Sequence, residues 1–242
     1  MKSLICSALF LLAFSQNAQA PTAVPVKDEP HHHLVLENSY VRVFRVSIPA
    51  NDATLLHQHA LPYVFVSLGP ADFTNAVAGK PEVEAKLADG QLGYSKGNFA
   101  HIARTDHALP FNNVTIELLK PQGEPRNICA QILVTAPEGA CPKSLPSSGG
   151  VRKKPLLETG NTFVDLVELD PSLDVVNIRL QGLVVFLGDT QIQEDSINAP
   201  TARVVKGDVI WIPEGSGETI WNSKGKDLRY IQLTFSAAGP KP

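Results

Sequence analysis

The chain has 242 residues, 43% apolar and 19% charged, a composition that excludes both a disordered polymer and an integral membrane bundle. Its formal charge is −3, and no run of like charge exceeds the Arg152-Lys153-Lys154 triplet, so there is no electrostatic footprint for nucleic acid. The length admits one large β domain or two modest ones, and the pattern along the chain has to decide between them.

Residues 1–20 read as an export signal: Lys2 is the positive start, Leu4 to Phe14 the apolar stretch, and Ala18-Gln19-Ala20 a small-residue cleavage site. A membrane anchor is the alternative, but a bilayer needs ~20 apolar residues and Ser15-Gln16-Asn17 ends this run early. With Pro21 beside the proposed cut, the boundary falls at Ala20 or Ala18, and the mature chain is expected to be periplasmic or secreted, without membrane contact. Removing Cys6 with the signal leaves Cys129 and Cys141, expected to form a disulfide in an oxidising compartment. A two-thiolate metal site is the alternative, though it lacks any paired C-x-x-C spacing.

Next comes His31-His32-His33, a tract of a kind that binds metal weakly, expected to do no more than start the first strand. Short runs rich in Val, Ile, Phe and Tyr then recur between turn residues, with almost no sustained helical period, which predicts an all-β fold. First-half strands are expected near Tyr40–Ile48, Thr54–His59, Tyr63–Leu68, Asp72–Ala76, Glu82–Leu87, Ala100–Thr105 and Val114–Lys120. The segment 136–157, containing Ser147-Ser148-Gly149-Gly150, is expected to resist helix and strand and to link two halves, 31–135 and 158–237. Second-half strands are expected near Asn161–Leu169, Val175–Leu180, Leu183–Leu187, Thr190–Glu194, Ala202–Val205, Val209–Ile212, Glu218–Trp221 and Leu228–Phe235. The halves repeat: an offset of 119 sets Val64 to Gly69 on Leu183 to Gly188, and one of 117 sets Gly90 on Gly207 and His101 on Glu218.

Three of the seven histidines stand out, His57 and His59 in Leu56-His57-Gln58-His59 and His101 in Phe99-Ala100-His101-Ile102. On a strand, residues two apart share a face, so an H-x-H pair aims both imidazoles into one space, where a third histidine completes a facial metal set with open positions. These residues resemble the cupin superfamily, whose first motif carries H-x-H followed by Glu and Gly and whose second runs G-x5-P-x-G-x2-H. Here the first motif is His57-Gln58-His59 with Tyr63 and Gly69; in the second, Gly90 and His101 are present but Lys96 and Asn98 replace Pro and Gly. In the second half Gly207-Asp208, Pro213 and Gly215 fit the motif, Glu218 takes the histidine place, and Val176 and Ile178 stand for His57 and His59.

The resemblance spans Leu34 to Phe235 as two copies and implies a bicupin: two tandem double-stranded β-helix (jelly-roll) barrels, the second without metal ligands. It implies one divalent transition metal, Fe, Mn, Ni, Cu or Zn, on His57, His59 and His101, a small-molecule ligand or substrate, and a homodimer. The motif carboxylate of the germin and oxalate decarboxylase types is missing, which leaves a three-histidine site as in thiol dioxygenase-type cupins. Tyr63 and Glu117 are candidates to complete it: Tyr63 either donates a hydrogen bond beside the metal or packs its ring, and Glu117 either points inward, needing a cation, or outward. His107 is expected in a solvent-facing loop, and Trp211, Trp221, Asp208 and Glu218 either line a second-half pocket or belong to a structural half. The functional expectation is an exported metal-dependent oxidoreductase acting on a small molecule. The alternatives are a non-catalytic binding or sensing protein and a structural bicupin, the last disfavoured by the intact histidine set.

Overall fold

The computed structural model describes residues 22–106, 108–129, 147–194, 199–222 and 228–236. His107 and Cys141 lie outside the described residues. In the first half the strands are β1 (Val24–Pro25), β2 (His32–Glu37), β3 (Val41–Ile48), β4 (His57–His59), β5 (Tyr63–Ser67), β6 (Ala71–Val77), β7 (Val83–Leu87), β8 (Leu92–Ser95), β9 (Phe99–Arg104) and β10 (Phe111–Leu118). They form two five-stranded sheets, β1-β4-β9-β6-β7 and β2-β3-β10-β5-β8. In the second half they are β11 (Arg126–Asn127), β12 (Ser147–Ser148), β13 (Val151–Glu158), β14 (Thr162–Leu169), β15 (Val175–Ile178), β16 (Gly182–Phe186), β17 (Thr190–Glu194), β18 (Ala202–Val204), β19 (Val209–Ile212), β20 (Glu218–Trp221) and β21 (Leu228–Phe235). The corresponding sheets are β11-β13-β14-β21-β16-β19 and β15-β20-β17-β18. The all-β expectation therefore holds, with one three-residue 3-10 helix, Val26–Asp28, among the described residues.

Alternation along the central strands divides the core into three. In β3 and β10, Phe44, Val46, Ile48 and Phe111 turn into the first barrel, while Val41, Val43, Val114 and Ile116 turn to the other side. In β16, Val184 and Phe186 fill the second barrel, while Leu183 and Val185 face out of it. The outward sets meet: one buried cluster contains Val43, Val64 and Ile116 from the first half with Leu183, Val185 and Ile231 from the second. A strand buried on both faces needs apolar residues at every position, which is why Tyr63 to Val66 and Leu183 to Phe186 read as unbroken runs. Tyr40 also stacks on Trp211 at 5.3 Å between ring centres, and Lys206 Nζ bonds Asp89 at 2.6 Å, so polar and aromatic contacts edge the same seam.

The segment expected to be free of strands ends in one. Ser147 pairs with Arg152 and Ser148 with Val151, which makes Gly149-Gly150 the two-residue loop of a hairpin, and both glycines have positive φ (57° and 77°). That is the chain direction a tight hairpin demands, so the Gly-Gly pair is a turn into β13. β13 then pairs with β14 from Val151↔Leu169 to Glu158↔Phe163. The second-half aromatics do not line an interior pocket either: Trp211 packs on Tyr40, and Trp221 is 42% exposed.

Because the two barrels share a core, they should unfold together. Leu183→Ala removes a fully buried side chain from the seam and is expected to cost about 2–5 kcal/mol. Calorimetry should record one transition, shifted down as a whole; two separate transitions, only one of them shifted, would contradict a shared core.

Candidate metal centre

The histidine cluster follows from the register of two short strands. β4 has the burial pattern buried, exposed, buried, so His57 and His59 point inward and Gln58 outward. β9 pairs antiparallel with it, His57 opposite His101, and the third imidazole enters from the adjoining strand. His57, His59 and His101 are all buried, with ring centres 4.5 Å apart for His57 and His101, 5.0 Å for His57 and His59, and 5.2 Å for His59 and His101. The loop into β9 carries Asn98 where the cupin motif has Gly. Asn98 holds φ 60°, a left-handed conformation that Asn tolerates in place of Gly, and its N–H donates to the His59 carbonyl at 2.6 Å.

A fourth imidazole joins them. His32, at the start of β2, is buried, with its ring centre 4.8 Å from His57 and 5.9 Å from His59. Ligand atoms of His32, His57 and His59 all lie within 4.8 Å of one another. The expectation that the His31-His32-His33 tract only starts a strand is thus corrected for its central member. Only His33 is exposed, while half-buried His31 bonds Glu29 and Asp52. Nothing in the sequence separates His32 from its neighbours; the pairing of β2 with β3, His32 opposite Val46, turns it inward.

Each anchored ring is held by its Nδ1. His57 Nδ1 lies 2.9 Å from the Leu55 carbonyl, His101 Nδ1 2.6 Å from Asn75 Oδ1, and His32 Nδ1 2.6 Å from Glu29 Oε2. Acceptors at Nδ1 fix the proton there and leave the Nε2 lone pair facing the cluster. His101 Nε2 and His59 Nδ1 are buried with no hydrogen-bond partner, and His57 Nε2 lies 3.2 Å from His59 Nε2. Such orphaned nitrogens fit a cation, which supplies the missing partner. Burial keeps the imidazoles neutral, as a metal requires: it pushes His57 down to about 4 and His101 to about 3, and drives His59 lower still with help from His101 and His57.

Glu29, which the sequence reading missed, is the carboxylate of this site. It is 1% exposed and accepts from His31 N at 2.9 Å, His31 Nδ1 at 3.0 Å, His32 Nδ1 at 2.6 Å and Leu55 N at 3.1 Å. Burial raises its pKa, but the hydrogen bonds from His32 and His31 outweigh that and hold it at about 2. Glu117 does not play this part. It is buried, as an inward Glu would be, yet Arg42 Nη1 pairs with it at 3.0 Å, and it is not among the residues lining the cavity. Tyr63 does line the cavity, packing its ring on His59 at 4.2 Å and 26°, and burial holds its phenol protonated despite a hydrogen bond with Ser95. The space beside the cluster measures about 50 Å³, with Phe73, Phe111 and Val46 among its walls.

In the second half the corresponding pair of strands sets Ile178 opposite Glu218 and Val176 opposite Ile220. Ile178 and Ile220 belong to the apolar core there, leaving Glu218 as one half-buried carboxylate, raised by burial and by neighbouring Glu194. Among the described residues the one group placed to hold a metal is in the first half.

No protein-family model matches the chain, and no curated sequence matches it. Solved structures do. A cupin 2 conserved barrel domain protein from Leptotrichia buccalis is 10% identical, with TM-score 0.52 over 89% of this chain and 92% of that one. The chain has a bicupin fold. The protein Ylba from E. coli is 12% identical, with TM-score 0.60 over 92% of this chain and 90% of that one. A salicylate 1,2-dioxygenase from Pseudaminobacter salicylatoxidans is 10% identical, with TM-score 0.56 over 81% and 70% respectively.

The neutral histidines set the acid limb of the metal-free protein. Folded, His57 and His101 titrate at about 4 and about 3 against 6.5 in the unfolded chain, so below pH 6.5 the unfolded state binds protons that the folded state refuses. Stability is full above 6.5 and falls as the pH drops towards 4. Glu29 acts lower, its stabilisation being lost only between 4.5 and about 2, while His31, opposed by burial but raised by Glu29 and Asp52, acts above 6.5 with the opposite sign. Urea midpoints of chelator-treated protein should drop between about pH 6.5 and about pH 5. Equal midpoints would show that these imidazoles are not buried neutral.

Proposed function

We propose that the first barrel holds one divalent transition metal on His57, His59 and His101, with His32 as a fourth imidazole, and works as a metal-dependent oxidoreductase on a small molecule. The observation that carries this is the pair of buried imidazole nitrogens without partners, His101 Nε2 and His59 Nδ1, in a cluster where the Nδ1 atoms of His57, His101 and His32 are already anchored. The dioxygenase among the structural neighbours supports the reaction class. An all-imidazole set accepts Fe, Mn, Ni, Cu or Zn. Iron or copper there would supply electron-transfer and dioxygen chemistry, and zinc Lewis acidity.

The protein's own contribution is positional. Asn75 and the Leu55 carbonyl fix the tautomers of His101 and His57, while Glu29 fixes that of His32 and places one negative charge behind it to offset the ion. The rings of Phe73, Phe111 and Tyr63 give the cavity apolar walls. A binding or sensing protein without turnover is the second reading. It is favoured by the engagement of Glu117 with Arg42, which leaves no free carboxylate against the cavity as a general base.

Metal analysis tests the first reading. The tract His31-His32-His33 has to stay in place, since it carries His32. About one ion per chain is expected. Asn75→Ala should weaken binding by about 10–100-fold through loss of the His101 anchor. His57→Ala with His101→Ala should abolish it, and Glu218→Ala should leave metal content unchanged. Two ions per chain, or full retention in the double variant with an unchanged β spectrum, would place the site elsewhere. Oxygen uptake with candidate substrates then separates enzyme from binding protein.

Export and a disulfide complete the proposal. Cys129 is half-buried against the seam between the barrels, and a bridge to Cys141 would tie the connecting segment to that core. Mass spectrometry of unreduced peptides from exported protein should find the two joined; both thiols free would remove the bridge and weaken the case for export.

A further inference from the structure

The histidine cavity, at about 50 Å³, holds an ion and a water or two but no organic substrate. A second cavity of about 490 Å³, the size of a small-molecule site, adjoins it, and Tyr63, Phe65 and Phe73 form walls of both. Tyr94 and Phe99 complete an aromatic enclosure on the far side, and the Phe99 ring centre lies 5.2 Å from that of His101. Asn75, which holds His101 Nδ1 at 2.6 Å, also lines this cavity, so a molecule touching Asn75 is one hydrogen bond from the cluster.

The charges that line it have one sign. Lys80 and Lys96 are present, and among the described residues no Asp or Glu is. Lys96 is already neutralised by Glu124, at 3.0 Å and 2.8 Å to its two carboxylate oxygens. Lys80 has no ion-pair partner among the described residues; it sits in the turn after β6, where its N–H bonds the Val77 carbonyl. Aromatic walls favour a flat ring, through stacked or edge contacts, and one uncompensated ammonium at the rim favours a single negative charge.

We propose that this second cavity takes a small aromatic monocarboxylate, its ring between Phe73 and Phe99 and its carboxylate on Lys80, which sets the specificity of the adjoining histidine site. The chemistry performed on such a ligand rests on the metal reading above, but its binding does not. Lys80 acts as a binding residue and touches neither the metal ligands nor the core.

Titration calorimetry of the full chain, both metal-loaded and chelator-treated, with benzoate, benzyl alcohol and acetate as probes tests this. Benzoate should bind more tightly than either the neutral ring or the ringless acid. Lys80→Met should weaken benzoate by about fivefold, and Lys80→Arg should restore it, the size expected of one partly exposed ion pair. Benzyl alcohol should be unaffected by either change. Equal affinities for benzoate and benzyl alcohol, no benzoate binding, or no response to Lys80→Met would overturn the proposal. Metal content measured on the same samples keeps the two ideas apart: benzoate binding by a chain that retains no metal supports this cavity while removing the metal reading, and metal without benzoate does the reverse.

Discussion

The antiparallel pairing of β4 with β9 is the constraint on which the rest depends. A strand repeats every two residues, so His57 and His59 share the inner face, and the register that sets His57 opposite His101 brings the third ring beside them, 4.5 Å and 5.2 Å away between ring centres. Shifting either strand by one residue would expose all its imidazoles to solvent. Neighbouring strands prevent the slip: β6 pairs with β9 from Thr74↔Arg104 to Val77↔His101, and Asn98 bonds the His59 carbonyl across the loop.

Burying four imidazoles side by side is costly in water-free surroundings unless each is neutral and hydrogen-bonded. The structure anchors the Nδ1 atoms of His57, His101 and His32 and leaves His101 Nε2 and His59 Nδ1 without hydrogen-bond partners. Among the described residues Glu29 places a buried negative charge behind His32, at the rim of the cluster. Two cavities adjoin there: a small one lined by His32, His57, His59 and His101, and a larger aromatic one with Lys80 in its lining.

The second barrel supplies stability. Its strands place Val176 and Ile178 where the first half has His57 and His59, with Ile220 opposite Val176 as His101 is opposite His57, and it covers the outer face of the first barrel with Leu183, Val185 and Ile231. A lone barrel would present Val41, Val43, Val64 and Ile116 to water, an apolar face large enough to need a partner. The duplicated architecture thus keeps the histidine cluster in one half and an apolar core at the corresponding strands of the other.

The sequence by itself determined the period-two alternation, the duplicated strand order, and the H-x-H pair with its distant third histidine, because each is a local pattern or a repeat of one. It misread Ser147-Ser148-Gly149-Gly150 as linker, since glycine signals a hairpin turn and a flexible link alike until the pairing of β12 with β13 is known. It left Glu117 open, and only the opposite strand showed that Arg42 is its partner. His32 and Glu29 were invisible for a stronger reason. Their place in the site depends on β2 lying against β3 and on Leu55 reaching Glu29 from 26 residues away, and contacts between distant segments leave no periodic trace in the chain that makes them.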